Sequence, residues 1–247
     1  MAAGTQKSAG VPVVDGVARI PGFVNCYTYS EGGETFLIDT GISRKAKSIV
    51  RAFKGSNVPM ARVGKILLTH WHADHMGGAA YLVENFHLPL ACHVDDAPFV
   101  DGRVKDPTPL LLRLFMRIHH APVTTSLKDG DRVGPLLVVH TPGHTPGEVV
   151  YYHPTRKILF SGDALVERKG QLTMPAVRFA NSLERAVKSL SRIRELDVEV
   201  LLPGHGVPVK GNFAALLDDL IKRAPAEFLG RASGGDRGLD KDSHAAV

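Results

Sequence analysis

The stretch "LLTHWHADHMGG" (67–78) sets four metal-type side chains, His70, His72, Asp74 and His75, within six consecutive positions. Residues at that spacing cannot all face one way on a regular helix or strand. They converge only in a loop. The flanking "KILL" (65–68) and "GGAAYLVENF" (77–86) predict a loop that leads from a buried strand into a helix. Imidazoles and a carboxylate suit zinc, and also iron or manganese, while the absence of a nearby Cys argues against a structural thiolate site. Desolvating three imidazoles and a carboxylate together is costly without a cation. The cluster therefore predicts a metal site.

Three other strands end in the same way. "PLLVV" (135–139) runs into "HTPGHTPG" (140–147), "KILF" (157–160) into Ser161-Gly162-Asp163, and "VEVLL" (198–202) into Pro203-Gly204-His205. Turns at the ends of rigid strands are where binding and catalytic groups are usually held. Between them the pattern alternates short strands with helices. "VNCYTYS" and "ETFLIDT" flank Glu31-Gly32-Gly33 as a hairpin. A helix over 42–53 has Ser43 as its expected N-cap, and another over 182–196 has Asn181 and Glu184 at capping-box spacing. The alternation favours sheets packed together with helices outside.

The set His70-x-His72-x-Asp74-His75, His144, Asp163 and His205 resembles the signature of the metallo-β-lactamase superfamily, over roughly residues 13–210. The resemblance implies an α/β fold, a four-layer αββα sandwich with its metal site at one edge of the two sheets. It also implies two Zn2+ per chain, with iron or manganese as alternatives. One metal would be held by His70, His72 and His144, the other by Asp74, His75 and His205, with Asp163 bridging. Asp39 would hydrogen-bond a ligand; its plain reading is a turn residue before Gly41. His140, four residues before His144, is a second candidate to support a ligand. Two cations about 3.5–4 Å apart can hold a hydroxide as nucleophile and polarise a carbonyl. Asp74 could orient that nucleophile or take its proton. Hydrolysis of an ester, thioester or lactone is the expected reaction, with β-lactam cleavage as a side activity.

"NCYTY", "FLIDTG", "THWHADHMGG" and "LLPGHG" look most like the glyoxalase-II-like branch. Asp163 departs from the cysteine of the largest group of zinc β-lactamases. The chain has one clear helix after His205, short of the helical region with which glyoxalase II grips glutathione, and no Tyr follows Asp163 as in quorum-quenching lactonases. The segment "DPTPLLLRLFMRIHHAPVTT" (106–125) reads as a substrate wall of Leu112, Phe115 and Met116 with Arg113 or Arg117 meeting a carboxylate. A packed helix or a homodimer contact are its other readings. A mononuclear iron oxidoreductase of the persulfide dioxygenase kind, an RNA-processing nuclease and a non-catalytic binding protein are the rival classes.

The 247 residues, 44% hydrophobic and 22% charged, have an ordinary globular composition. The net charge of +5 is spread along the chain, so a small-molecule substrate is expected and no specific nucleic-acid partner. Cys26 and Cys92 make no disulfide framework, the N-terminus lacks the apolar run of a signal peptide, and "PLLLRLFMRIHHA" (109–121) is too short and charged to span a bilayer. A cytoplasmic protein without a membrane partner is the expectation. Residues 11–229 read as one domain, 1–10 as a flexible leader and 230–247 as a disordered tail.

Overall fold

Alternation along a strand sends neighbouring side chains to opposite faces of a sheet. In "ETFLI", Phe36 and Ile38 enter one core and Leu37 another. The computed structural model describes residues 8–105, 119–174 and 181–232. Val11–Val14 (β1), Val17–Ile20 (β2), Cys26–Glu31 (β3), Glu34–Ile38 (β4), Val63–Leu67 (β5), Leu90–His93 (β6) and Thr125–Leu127 (β7) form a seven-stranded sheet in that spatial order. Its pairs are antiparallel up to β4 and parallel from β4 onward. Glu31 pairs with Glu34 around the Gly32-Gly33 turn, where both glycines have positive φ.

The second sheet contains Arg132–Val133 (β8), Leu136–His140 (β9), Val149–His153 (β10), Ile158–Gly162 (β11), Val200–Pro203 (β14) and Val209–Lys210 (β15), in the order β15-β14-β11-β10-β9-β8. Val166–Arg168 (β12) and Gln171–Thr173 (β13) make a separate hairpin. Among the described residues the α-helices are Lys47–Lys54 (α1), Ala73–Met76 (α2), Ala79–Phe86 (α3), Ala97–Val100 (α4), Leu183–Arg194 (α5) and Phe213–Ala232 (α6).

Three apolar cores define the layers. Tyr27, Phe36, Ile38 and Leu67 of the first sheet meet Val138, Tyr151, Phe160 and Leu202 of the second. Leu37, Ile66 and Leu90 pack outward on Ile49 and Phe53 of α1, Leu82 of α3 and Val100 of α4. Val150, Leu159 and Leu201 pack outward on Leu190 and Ile193 of α5 and Leu217 and Leu220 of α6. Helices therefore cover both outer faces, which gives the four-layer αββα sandwich. Among the described residues no helix is long and apolar enough to cross a membrane.

Four local expectations need correction. α1 starts at Lys47, not near Ser43, because buried Ala46 takes a left-handed φ of 44° at the helix entrance. A Cβ on Gly78 would lie 3.0 Å from the Ala46 methyl, so Ala46 is wedged against the start of α3. Ser182, not Asn181, caps α5, its side chain accepting from the Arg185 N–H. Residues 8–10 do not read as flexible leader, since Ala9 is buried in the outer core and its carbonyl accepts from Thr28 Oγ1. At the other end α6 runs past residue 229, to Ala232.

Candidate metal centre

β5 delivers the chain through Leu68 and Thr69 to His70; His72 is the N-cap of α2, and Asp74 and His75 stand on that single turn. His144 follows β9, Asp163 follows β11, and His205 follows β14. The four strand endings meet. His70, His72 and His144 form one group whose ligand atoms lie within 4.8 Å of one another, and Asp74, His75 and His205 form a second. Asp163 lies between the groups: its Oδ2 is 3.5 Å from His144 Nε2, and its Oδ1 is 3.2 Å from His75 Nε2 and 3.6 Å from His205 Nε2. His72 Nδ1 and His144 Nε2 are 2.8 Å apart, and His205 Nε2 is 3.3 Å from Asp74 Oδ2.

The polar atoms here have too few partners. Among the described residues, the buried side-chain atoms lacking a hydrogen bond are His70 Nε2, Trp71 Nε1, His75 Nε2, His144 Nδ1 and Asp163 Oδ1. All but the indole belong to the cluster, and leaving such atoms unpaired is costly. Burial, then the imidazoles of His75, His144 and His72, holds His70 well below 6.5, and burial and His72 push His144 down to about 3. Burial alone would lower His75 too, but Asp163, Asp39 and Asp74 raise it well above 6.5. Burial would raise Asp163, yet His75, His144 and His205 hold it well below the usual carboxylate range. Neutral His70 and His144 beside an ionised Asp163 are in the form a divalent cation takes up, while His75, favoured as the cation by its carboxylates, would release a proton on binding one. The residues fit a metal.

Behind the cluster, buried carboxylates hold each loop. Asp39 Oδ2 accepts from His75 Nδ1 at 2.8 Å, and its Oδ1 accepts from the Thr69 N–H at 2.8 Å. Asp39 itself has a φ of 59°, directly after β4, and its N–H still donates to the Leu67 carbonyl. The bond from His75 Nδ1 turns Nε2 toward the cluster, the usual way a supporting carboxylate fixes a histidine tautomer. Glu148 Oε1 accepts from the Asp163 N–H at 3.2 Å, and Glu167 Oε2 accepts from the Val207 N–H at 2.8 Å, beside His205. Asp96 accepts from the Trp71 and Gly147 N–H groups and from Thr145 Oγ1.

Sequence reading missed Asp96, Glu148, Glu167 and Phe23. Asp96 carries the same signal as the ligands, a carboxylate just past a buried strand, in "LACHVDD". Phe23 has none. It is 71% exposed, with its ring edge-on to His205 at 5.7 Å.

His140 reaches the His144 turn through its backbone: Nε2 donates to the Pro146 carbonyl at 2.9 Å. Its ring stacks on His93 at 4.0 Å and 13°. His93, Asp95 and His140 also bring ligand atoms within 4.8 Å. Two parallel rings aim their in-plane lone pairs past one another, however, and the Asp95 N–H already occupies His93 Nδ1. Burial and His140 push His93 down from 6.5 to about 4. Its neutral form is thus favoured in the fold, so the stability it lends is whole above pH 6.5 and is lost as pH falls toward 4. His93→Gln should flatten the urea midpoint against pH across that window, by at most about 3 kcal/mol. An unchanged slope would refute this. Leu112, Arg113, Phe115, Met116 and Arg117 lie outside the described residues.

The family model described as the metallo-beta-lactamase superfamily matches residues 19–205. "Probable metallo-hydrolase YybB" of Bacillus subtilis is 31% identical over 194 residues, covering 78% of this chain and 84% of the relative. An atrochrysone carboxyl ACP thioesterase of Aspergillus fumigatus is 25% identical over 190 residues, 75% of this chain and 51% of the relative. The crystal structure of TTHA1623 in a di-iron-bound form superposes with a TM-score of 0.63 at 29% identity, covering 83% of this chain and 97% of that one. Fold and donor set together imply a divalent metal. With a sandwich of this order, these donors at the strand ends and a match across most of its length, the chain belongs to the metallo-β-lactamase superfamily.

Proposed function

We propose that this protein is a metal-dependent hydrolase of acyl bonds, acting on a thioester, ester or lactone with two zinc ions per chain. The observation that carries the reading is Asp163, which turns one carboxylate oxygen toward each of the two donor groups. His70, His72 and His144 would hold one ion, Asp74, His75 and His205 the other, and Asp163 both. Bound divalent cations supply a nucleophilic water near neutral pH and polarise the carbonyl. Nitrogen and oxygen donors without thiolate suit zinc, while the di-iron relative keeps iron in view.

The chain's own groups do the rest. Asp74, with its side chain 16% exposed at the open side, accepts the proton released by the attacking water and returns it to the leaving group. Asp39 and Thr69 keep His75 and His70 in the tautomers that present Nε2. Phe23, exposed beside His205, offers an apolar face to the acyl portion. Acyl rather than phosphoryl transfer is supported by the thioesterase among the relatives.

Elemental analysis of the purified protein, paired with rates on S-lactoylglutathione, simple lactones, nitrocefin and an aryl phosphodiester, tests the reading. Two zinc ions and fastest turnover on a thioester or lactone are expected. Turnover of the phosphodiester alone, or oxygen-dependent consumption of a persulfide by an iron-loaded protein, would overturn it.

A further inference from the structure

Asp96 lies just past β6, wholly buried, at the N-cap position of α4. Both of its oxygens act only as acceptors. Oδ2 takes the Trp71 N–H at 3.1 Å and the Thr145 hydroxyl at 2.7 Å, and Oδ1 takes the Gly147 N–H at 2.6 Å. Trp71 stands between His70 and His72, and Thr145 and Gly147 follow His144. One carboxylate from the first sheet thus spans the loop after β5 and the loop after β9, which belongs to the second sheet. The approach is close: a Cβ on Gly147 would lie 2.6 Å from Asp96 N and 2.7 Å from its Oδ1. Further back the loops touch through the Val149 N–H on the Thr69 carbonyl, 2.9 Å, but that contact precedes His70 and His72.

The three-imidazole group is the one assembled from these two loops. Asp74 and His75 stand on α2, and His205 is held from another side by Glu167, whose Oε2 takes the Val207 N–H and whose own N–H donates to the His205 carbonyl. The geometry points to Asp96 as a positioning residue that sets the spacing of His70 and His72 against His144, and so governs the metal position those three form without governing its neighbour. This rests on the two-metal reading above. An amide at position 96 keeps the volume but has one oxygen, so its NH2 must face the backbone N–H of either Trp71 or Gly147 and the span between the loops loses one backbone bond.

The test is a Co2+ titration of the full chain against a competing chelator, followed by visible absorption. Wild type should take two equivalents. Asp96→Asn should keep one at its original affinity and weaken the other by roughly ten- to a hundredfold, the usual cost of an altered supporting group. Glu167→Gln should weaken the opposite position, with the complementary change in the cobalt spectrum. Thr145→Val, which leaves both backbone bonds intact, should reproduce the Asp96→Asn effect at smaller size, and decides the matter if Asp96→Asn does not fold. Unchanged affinity and spectrum, or equal weakening of both equivalents alongside a lower Tm, would overturn the assignment. A wild type that takes up no cobalt would instead overturn the two-metal reading itself.

Discussion

Asp163→Ala is expected to reduce bound metal from two ions toward one or none and to lower kcat/KM by more than about a hundredfold, beyond the usual cost of losing an outer hydrogen bond. The reason is geometric. Its two oxygens lie 3.2 to 3.6 Å from His75, His205 and His144, which belong to two different donor groups. Of the other carboxylates, Asp74 and Asp39 meet the group of His75 and His205, and Glu148 approaches His70 only at Nδ1, 3.9 Å away, the nitrogen opposite Nε2. Without Asp163, the three-imidazole group keeps only Glu148 behind His70, and no carboxylate among the described residues faces both positions. Asp163→Asn keeps the volume and one oxygen, so it should retain more metal than the alanine variant. Elemental analysis with steady-state kinetics reads both. Wild-type turnover by Asp163→Ala on every substrate tested would end the assignment.

Chelation is expected to cost about 3–4 kcal/mol of apparent stability, the linkage value for an ion present at a few hundred to a thousand times its Kd. For a chain of this size that corresponds to a fall in Tm of about 6–16 °C. The geometry of the cluster explains the sign. His70 Nε2, His75 Nε2 and Asp163 Oδ1 are buried without hydrogen-bond partners, and a cation relieves that penalty only in the folded state. Calorimetry of metal-loaded and chelator-treated protein measures the difference. Identical transitions would show that the fold carries these unpaired atoms without help from an ion.

The layers and the ligand loops could be read from the chain because both depend on local pattern. Strands such as "KILL" and "PLLVV" are apolar runs that stop at a Gly- or Pro-containing turn, and the turn carries the donor. Helix starts were harder. Ser43 and Asn181 are good capping residues, yet Ala46 is fixed by its contact with Gly78 and Ser182 takes the cap that Asn181 could have filled. The supporting carboxylates depend on contacts across long separations, as between Asp96 and Gly147, or Glu167 and Val207. No periodicity encodes such pairs. Asp39 is the exception, and its role came from the resemblance rather than from spacing.

The donors are divided between the two sheets: His70, His72, Asp74 and His75 leave the first, His144, Asp163 and His205 the second. The sheets otherwise face each other mainly through apolar side chains such as Phe160 and Leu202, crossed by a few hydrogen bonds such as those from the Tyr27 hydroxyl to the Pro203 carbonyl and from the Tyr151 hydroxyl to the Leu68 carbonyl. A bound ion at the edge would act as a further rivet beside those few ties. It would join segments far apart in the chain, as a cross-link does, and add to the restraint on shear between the halves. Substitutions deep between the sheets, far from any donor, therefore bear on metal affinity through the alignment of the two halves.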